Sequence, residues 1–118
     1  MYLACEEPSC LTTLHRLLRR LLADAPEDLR IDAELVAIEL VTNSFEHASG
    51  PRSATITWTD DGLLHIAVVD GSPDAVLTPG RSRLGAHRGR GLTVVGAVAR
   101  WGVDRGQTTK TVWATLTC

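Results

Sequence analysis

A nine-residue stretch, ELVTNSFEH at residues 39–47, constrains the fold more than any other part of the chain. It reads as a helix in which Glu39, Asn43 and His47 recur every four residues. That spacing places a carboxylate, an amide and an imidazole on one helix face. The other sides are mostly apolar, which predicts a largely buried helix. Polar groups there must find partners, and two kinds stay open: a metal–nucleotide complex or a neighbouring stretch of backbone.

The length and the net charge of the chain restrict the classes of protein to which it can belong. The 118 residues can bury about two thirds of their unfolded surface, so residues 1–118 are interpreted as a single domain. The net charge is −2, whereas nucleic-acid-binding domains are more often basic. No apolar run has membrane-spanning length, and the first ten residues do not resemble a signal peptide. We therefore expect a cytoplasmic protein that contacts neither membrane nor nucleic acid directly.

The three cysteines do not indicate a metal site. Cys5, Cys10 and Cys118 are an odd number, and none of their spacings is that of a paired metal-binding motif. We interpret them as reduced thiols, as is usual in the cytoplasm. A disulfide between Cys5 and Cys10 remains the alternative.

Hydrophobic periodicity predicts a mixed α and β chain. The first predicted elements are a strand at residues 2–5, a helix capped by Ser9 and running to about Asp24, and a helix capped by Asp32 or a neighbour and ending near residues 49–51. They are followed by strands at 54–59 and 64–70, a helix at 92–101, and strands at 103–105 and 110–117. The turn at residues 60–62 indicates a hairpin. Clustered strands and few helices favour an α+β fold, a two-layer sandwich whose mainly antiparallel sheet is covered on one face by three helices.

Three further motifs could contact the same ligand, although each has a purely structural interpretation. The first is Asp70 with Ser72 at the end of a strand, where the carboxylate could accept a hydrogen bond from an amine or could simply start a turn. The second is GRGL at residues 89–92, where glycines could admit phosphate or merely punctuate a loop. The third is KTVW at residues 110–113, where Thr111 could reach a base or simply suit a strand.

Together and in this order, the four motifs resemble those of the Bergerat-fold (GHKL, histidine-kinase-like) ATPases, the superfamily of gyrase, Hsp90, histidine kinases and MutL. The resemblance spans about residues 9–117. It is strongest to stand-alone members, the anti-sigma-factor serine/threonine kinases and related actinobacterial regulatory ATP-binding proteins. Only one helix precedes the ELVTNSFEH helix, which argues against the helical dimerisation unit of a histidine kinase.

The resemblance implies a role for each motif, with ATP or ADP and Mg²⁺ as the bound groups. Asn43 would bind Mg²⁺, Glu39 would be the general base, and His47 would support them. Asp70 and Thr111 would contact adenine, with Ser72 standing where many relatives have glycine. The phosphates would be wrapped by Gly89, Arg90, Gly91 and Leu92. Residues 71–90 would contain the nucleotide lid, whose arginines 81, 83 and 88, together with Arg90, could pair with phosphate or remain solvated.

The implied function is that of a Mg-ATP-dependent serine/threonine kinase acting on a small anti-anti-sigma-like protein and sequestering a sigma factor. Homodimers are possible, since relatives often form them. One alternative is a switch that binds nucleotide and a protein partner without transferring phosphate. Another is an interaction domain that binds no nucleotide.

Overall fold

The computed structural model describes residues 1–74 and 91–117, with side chains in the third helix described from Val95 onward. Within these residues the chain forms five strands and three helices. In order they are β1 (Tyr2–Ala4), α1 (Cys10–Leu21), α2 (Glu27–His47), β2 (Ser53–Trp58), β3 (Leu63–Asp70), α3 (Gly91–Val98), β4 (Arg100–Arg105) and β5 (Lys110–Thr117).

The five strands form one antiparallel sheet in the order β1-β2-β3-β5-β4. β2 and β3 are joined by the predicted hairpin, in which Gly62 has a φ of 85°, a conformation that glycine adopts without steric cost. β3 and β5 are neighbours although α3 and β4 lie between them in the sequence. The α+β prediction is confirmed, because the helices pack on one face of this mainly antiparallel sheet.

The core lies between α2 and the inner face of the sheet. Alternate residues of the central strands point inward, so that Ile56, Ile66 and Ala114 are completely buried. α2 contacts β3, β5, α1 and α3, and its Val36 and Val41 are also fully buried. The predicted burial of this helix is therefore confirmed, and its position beside the ends of β3 and β5 determines where a site can form.

Several element boundaries differ from the prediction, most of all the start of α2 and the passage from α3 to β4. α2 begins at Glu27 rather than near Asp32, because Pro26 takes the N-cap position with a φ of −57°, a value its ring fixes in advance. α3 ends at Val98, and the following strand starts at Arg100 rather than 103, since Trp101 already pairs with Ala114 of β5. The predicted bounds of β5 match the structure.

The structure also bears on the predicted cap of α1, on the cysteines and on whether a helix could cross a membrane. Ser9 holds the N-cap position of α1, but its side chain makes no capping hydrogen bond. Cys5 and Cys10 are buried free thiols, whereas Cys118 lies outside the described residues. None of the described helices combines the length and the apolar character that crossing a membrane requires.

Candidate functional site

The three polar residues of the ELVTNSFEH motif lie in the second half of α2. Glu39, Asn43 and His47 are each half-buried, whereas Leu40 and Val41 beside them are buried. The fourfold spacing keeps the three polar side chains in one strip along the helix. This strip lies at the border of the core, where side chains are shielded from bulk water and yet accessible to a ligand.

His47 closes the strip at the C-terminal end of α2. Its Nε2 lies 3.6 Å from Oε2 of Glu46, a mostly buried carboxylate. In the described part of the chain no group of three or more His, Cys, Asp or Glu side chains could hold a metal ion. A magnesium ion brought in by a nucleotide needs no such group, because phosphate oxygens and water supply most of its ligands. The half-buried Asn43 amide is compatible with that kind of binding.

Arg52 fixes the C-terminal end of α2 against the sheet. Its guanidinium donates to Oγ of Ser44 at 3.0 Å and to the carbonyl oxygen of Ala48, and it lies 4.2 Å from the centre of the Phe45 ring. A cation at this end also complements the helix dipole. Sequence analysis did not find this contact, since Arg52 follows the helix in a segment with no periodic pattern.

Asp70 ends β3 with its side chain turned into the protein and only 1% exposed. Its Oδ1 accepts a hydrogen bond from the backbone N–H of Ser72 at 2.9 Å, the geometry of an aspartate-initiated turn. The turn interpretation of this motif is therefore correct, but it accounts for only one of the two carboxylate oxygens. Oδ2 is also buried, and it takes no part in the turn.

The turn after Asp70 is tied to the loop that follows α2. Gly71 donates its N–H to the carbonyl oxygen of Ser49 at 2.8 Å, and Ser49 donates its own N–H to Oγ of Ser72 at 2.7 Å. A Cβ atom on Gly71 would collide with the carbonyl oxygen of Gly50. These contacts hold the end of β3 next to the end of α2, so the first two motifs lie side by side. Ser72 thereby has a structural role that a glycine could not fill.

Lys110 is the charged partner of Asp70. It opens β5 directly opposite Asp70 in the antiparallel ladder, and its ammonium nitrogen lies 3.1 Å from Oδ2. Lys110 is also only 1% exposed, and lysine is rarely buried to this extent unless it is paired. Oδ2 of Asp70 therefore has a cationic partner, and the two side chains form a buried ion pair.

Thr111 does not lie on the face of the sheet that Asp70 occupies, and its predicted contact with adenine stays a prediction. Successive residues of a strand point to opposite faces, so Thr111 leaves the sheet on the side away from Asp70. There it lines a shallow depression with His65 and Trp113, whose rings stack on each other. The residue of the KTVW motif that faces Asp70 is Lys110. The sequence contained the signal, since the lysine immediately precedes the threonine that we selected.

The remaining predicted residues lie at the beginning of α3 or before it. Gly91 is the first residue of that helix, which packs against α2. Gly89, Arg90 and the predicted lid from residue 75 onward, with its arginines, lie outside the described residues, as does the side chain of Leu92. The predicted role of these residues in wrapping phosphate stays a prediction.

Comparison with known proteins found similar folds among histidine kinases. No protein-family profile and no curated protein matches the sequence. Among solved structures, the chain is similar to the histidine kinase domain of the blue-light-activated histidine kinase from Erythrobacter litoralis EL346, with a TM-score of 0.56 and 18% identity. The fold is therefore similar to that of this histidine kinase domain. The alignment covers 92% of this chain and 59% of that domain, so the chain spans less than two thirds of its length.

A second similar structure is the histidine kinase AdeS from Acinetobacter baumannii, with a TM-score of 0.53 and 10% identity. This alignment covers 99% of the chain and 67% of AdeS. At these identities the similarity concerns the fold. Function has to be argued from the site residues themselves.

Proposed function

We propose that this chain is a Mg-ATP-binding regulatory protein that phosphorylates serine or threonine on a small anti-anti-sigma-like protein. The observation that carries the proposal is the buried carboxylate of Asp70, which the Ser49–Gly71 and Ser49–Ser72 contacts hold beside α2 and its polar strip. The similarity of the fold to histidine kinase domains supports it. Binding a sigma factor would be the second activity of such a regulator.

Each end of the site has a distinct chemical task in this proposal. Asp70 would accept a hydrogen bond from the exocyclic amine of adenine through Oδ2, the oxygen that the turn does not use. Asn43 would offer its amide oxygen to Mg²⁺, which prefers oxygen ligands. The ion would supply charge neutralisation on the phosphates.

Glu39 would act on the attacking group. Its carboxylate takes the proton of the serine or threonine hydroxyl while that oxygen forms a bond to the γ-phosphorus. The bond from the γ-phosphorus to the bridging oxygen breaks, and ADP leaves with the electron pair. Phosphoryl transfer depends mainly on positioning and charge neutralisation, so in this proposal Glu39 has only to orient the hydroxyl and to take its proton.

A transfer assay with matched variants tests the proposal. Wild type, Glu39→Gln and Asp70→Asn would be incubated with γ-labelled ATP, Mg²⁺ and purified anti-anti-sigma-like proteins from the source organism. We expect labelled partner with wild type, loss of label with both variants, and retained ATP binding in Glu39→Gln alone. ATP binding by wild type without transfer to any of these proteins would instead favour the nucleotide-dependent binding switch. Transfer that is unchanged in Glu39→Gln would exclude Glu39 as the base.

A further inference from the structure

The ion pair between Asp70 and Lys110 is the least expected feature of the described core. Both side chains are 1% exposed, and they face each other across the β3–β5 ladder with 3.1 Å between the ammonium nitrogen and Oδ2. Folding stability alone does not explain why the protein buries an ion pair at this position. A buried ion pair replaced by well-packed apolar residues of similar size often leaves a protein equally or more stable.

Both members of the pair have unused hydrogen-bonding capacity at adjacent atoms. Oδ1 of Asp70 accepts the Ser72 N–H, whereas Oδ2 faces the Lys110 ammonium and has a second lone pair that no described residue uses. An ammonium carries three N–H donors, and among residues 1–74 and 91–117 the one partner of the Lys110 ammonium is the Asp70 carboxylate. Buried polar groups without hydrogen bonds are costly. An acceptor oxygen and an ammonium with unused N–H donors therefore lie next to each other in the described core.

A ligand that complements Asp70 and Lys110 must present, along one edge, a hydrogen-bond donor next to a hydrogen-bond acceptor. Adenine has that edge: its exocyclic amine is flanked by the ring nitrogens N1 and N7, which are both acceptors. We propose that Lys110 is a second base-reading residue, donating a hydrogen bond to the ring nitrogen beside the amine that Asp70 binds. This inference rests on the proposed nucleotide site and adds a specificity contact to it. Lys110 then takes the place on β5 that the resemblance had suggested for Thr111.

Base analogues test the contact without altering the protein. Wild type would be titrated calorimetrically with ADP, 1-deaza-ADP and 7-deaza-ADP in the presence of Mg²⁺. Each deaza analogue replaces one ring acceptor by C–H and keeps the amine. A hydrogen bond to a charged donor contributes roughly 1.5–3 kcal/mol, so one of the two analogues is expected to bind about 10-fold to 100-fold more weakly than ADP.

Two variants assign that loss to Lys110. Lys110→Met removes the ammonium from a side chain of similar length, and Thr111→Ala is the matched control on the same strand and the opposite face. Circular dichroism verifies that both are folded. We expect Lys110→Met to bind ADP about as weakly as wild type binds the sensitive analogue, and to bind that analogue and ADP equally. Thr111→Ala should discriminate as wild type does.

The outcomes separate this inference from the proposed function. Wild type that binds ADP and both analogues equally would overturn the role of Lys110 while leaving the nucleotide site intact. Tighter ADP binding by Lys110→Met would also overturn it, since the ammonium would then compete with the base for Asp70. Wild type that binds no adenine nucleotide would refute both the proposed function and this inference.

Discussion

The buried pair of Asp70 and Lys110 allows a quantitative test of how charge is held in this core. The two charged atoms are 3.1 Å apart, and at an effective dielectric constant of about 20 their Coulomb attraction is roughly 5 kcal/mol. Desolvation of the two groups opposes this attraction. Removing one partner leaves the other charge buried and unpaired, which typically costs about 3–5 kcal/mol. We therefore expect each single variant, Asp70→Asn and Lys110→Met, to lose stability within that range.

The substitutions are chosen to change charge and little else. Asn retains the oxygen that accepts the Ser72 N–H, and Met retains most of the length of the lysine side chain. The double variant contains no unpaired charge, so its loss should be smaller than the sum of the single losses by about 2–4 kcal/mol. For a domain with a total stability on the order of 5–15 kcal/mol, the single variants should still fold.

Urea denaturation followed by tryptophan fluorescence measures all four proteins under the same conditions. Thr111→Val is the control, because its side chain is on the outer face and substitutions of that kind usually change stability by less than about 0.5 kcal/mol. Additive losses in the double variant would refute the reasoning. So would single losses below about 1 kcal/mol, since they would mean that neither charge is buried in the folded protein.

Three further predictions concern local structure. Gly71→Ala should lower the free energy of unfolding by about 1–3 kcal/mol, because the added Cβ meets the backbone of Gly50; urea titration checks it, and an unchanged midpoint would contradict the close contact. Arg52→Met should lower the free energy of unfolding by about 1–3 kcal/mol and increase amide exchange at the end of α2, since the buried Ser44 hydroxyl loses its donor; wild-type exchange rates would contradict the capping role. Burial, and then the hydrogen bond with the Cys10 thiol, raise the pKa of Cys5 from 9.0 to about 12. The folded state therefore holds the Cys5 proton more tightly than the unfolded state does. Stability from this group is complete below pH 9 and falls by up to about 1.4 kcal/mol per pH unit as the pH rises toward 12. The loss should be smaller in Cys5→Ala, and parallel pH profiles of the two proteins would be contrary to this account.

Much of the fold could be predicted because its elements have strong periodic signals. The alternation from 110 to 117 gave the bounds of β5 and the two faces of that strand, and the turn at residues 60–62 gave the hairpin. The start of α2 could not be predicted in this way. A proline can follow the end of one helix or precede the start of the next, and the sequence alone does not say which position Pro26 takes. In the structure it holds the N-cap position of α2, with the backbone angle that its ring imposes.

In the candidate site, the sequence predicted the arrangement of residues within one helix but not the contact between two strands. The helical spacing correctly placed Glu39 and Asn43 in one strip, because the spacing is a property of a single element. The partner of Asp70 depends on the register between β3 and β5, two strands whose paired residues are 40 or more positions apart in the sequence. A shift of one residue in that register exchanges Lys110 for Thr111. No local pattern specifies the register, so the structure was needed to make the choice.

The central claim is that the end of β3 and the polar strip of α2 form an adenine nucleotide site. Calorimetric titration of ATP and ADP, with and without Mg²⁺, into wild type and Asp70→Asn tests it most directly. The account predicts binding to wild type that weakens sharply in Asp70→Asn, and Mg²⁺ dependence that is lost in Asn43→Ala. Folded wild-type protein that binds neither nucleotide at millimolar concentration would contradict the claim and leave the fold as a scaffold for protein contacts.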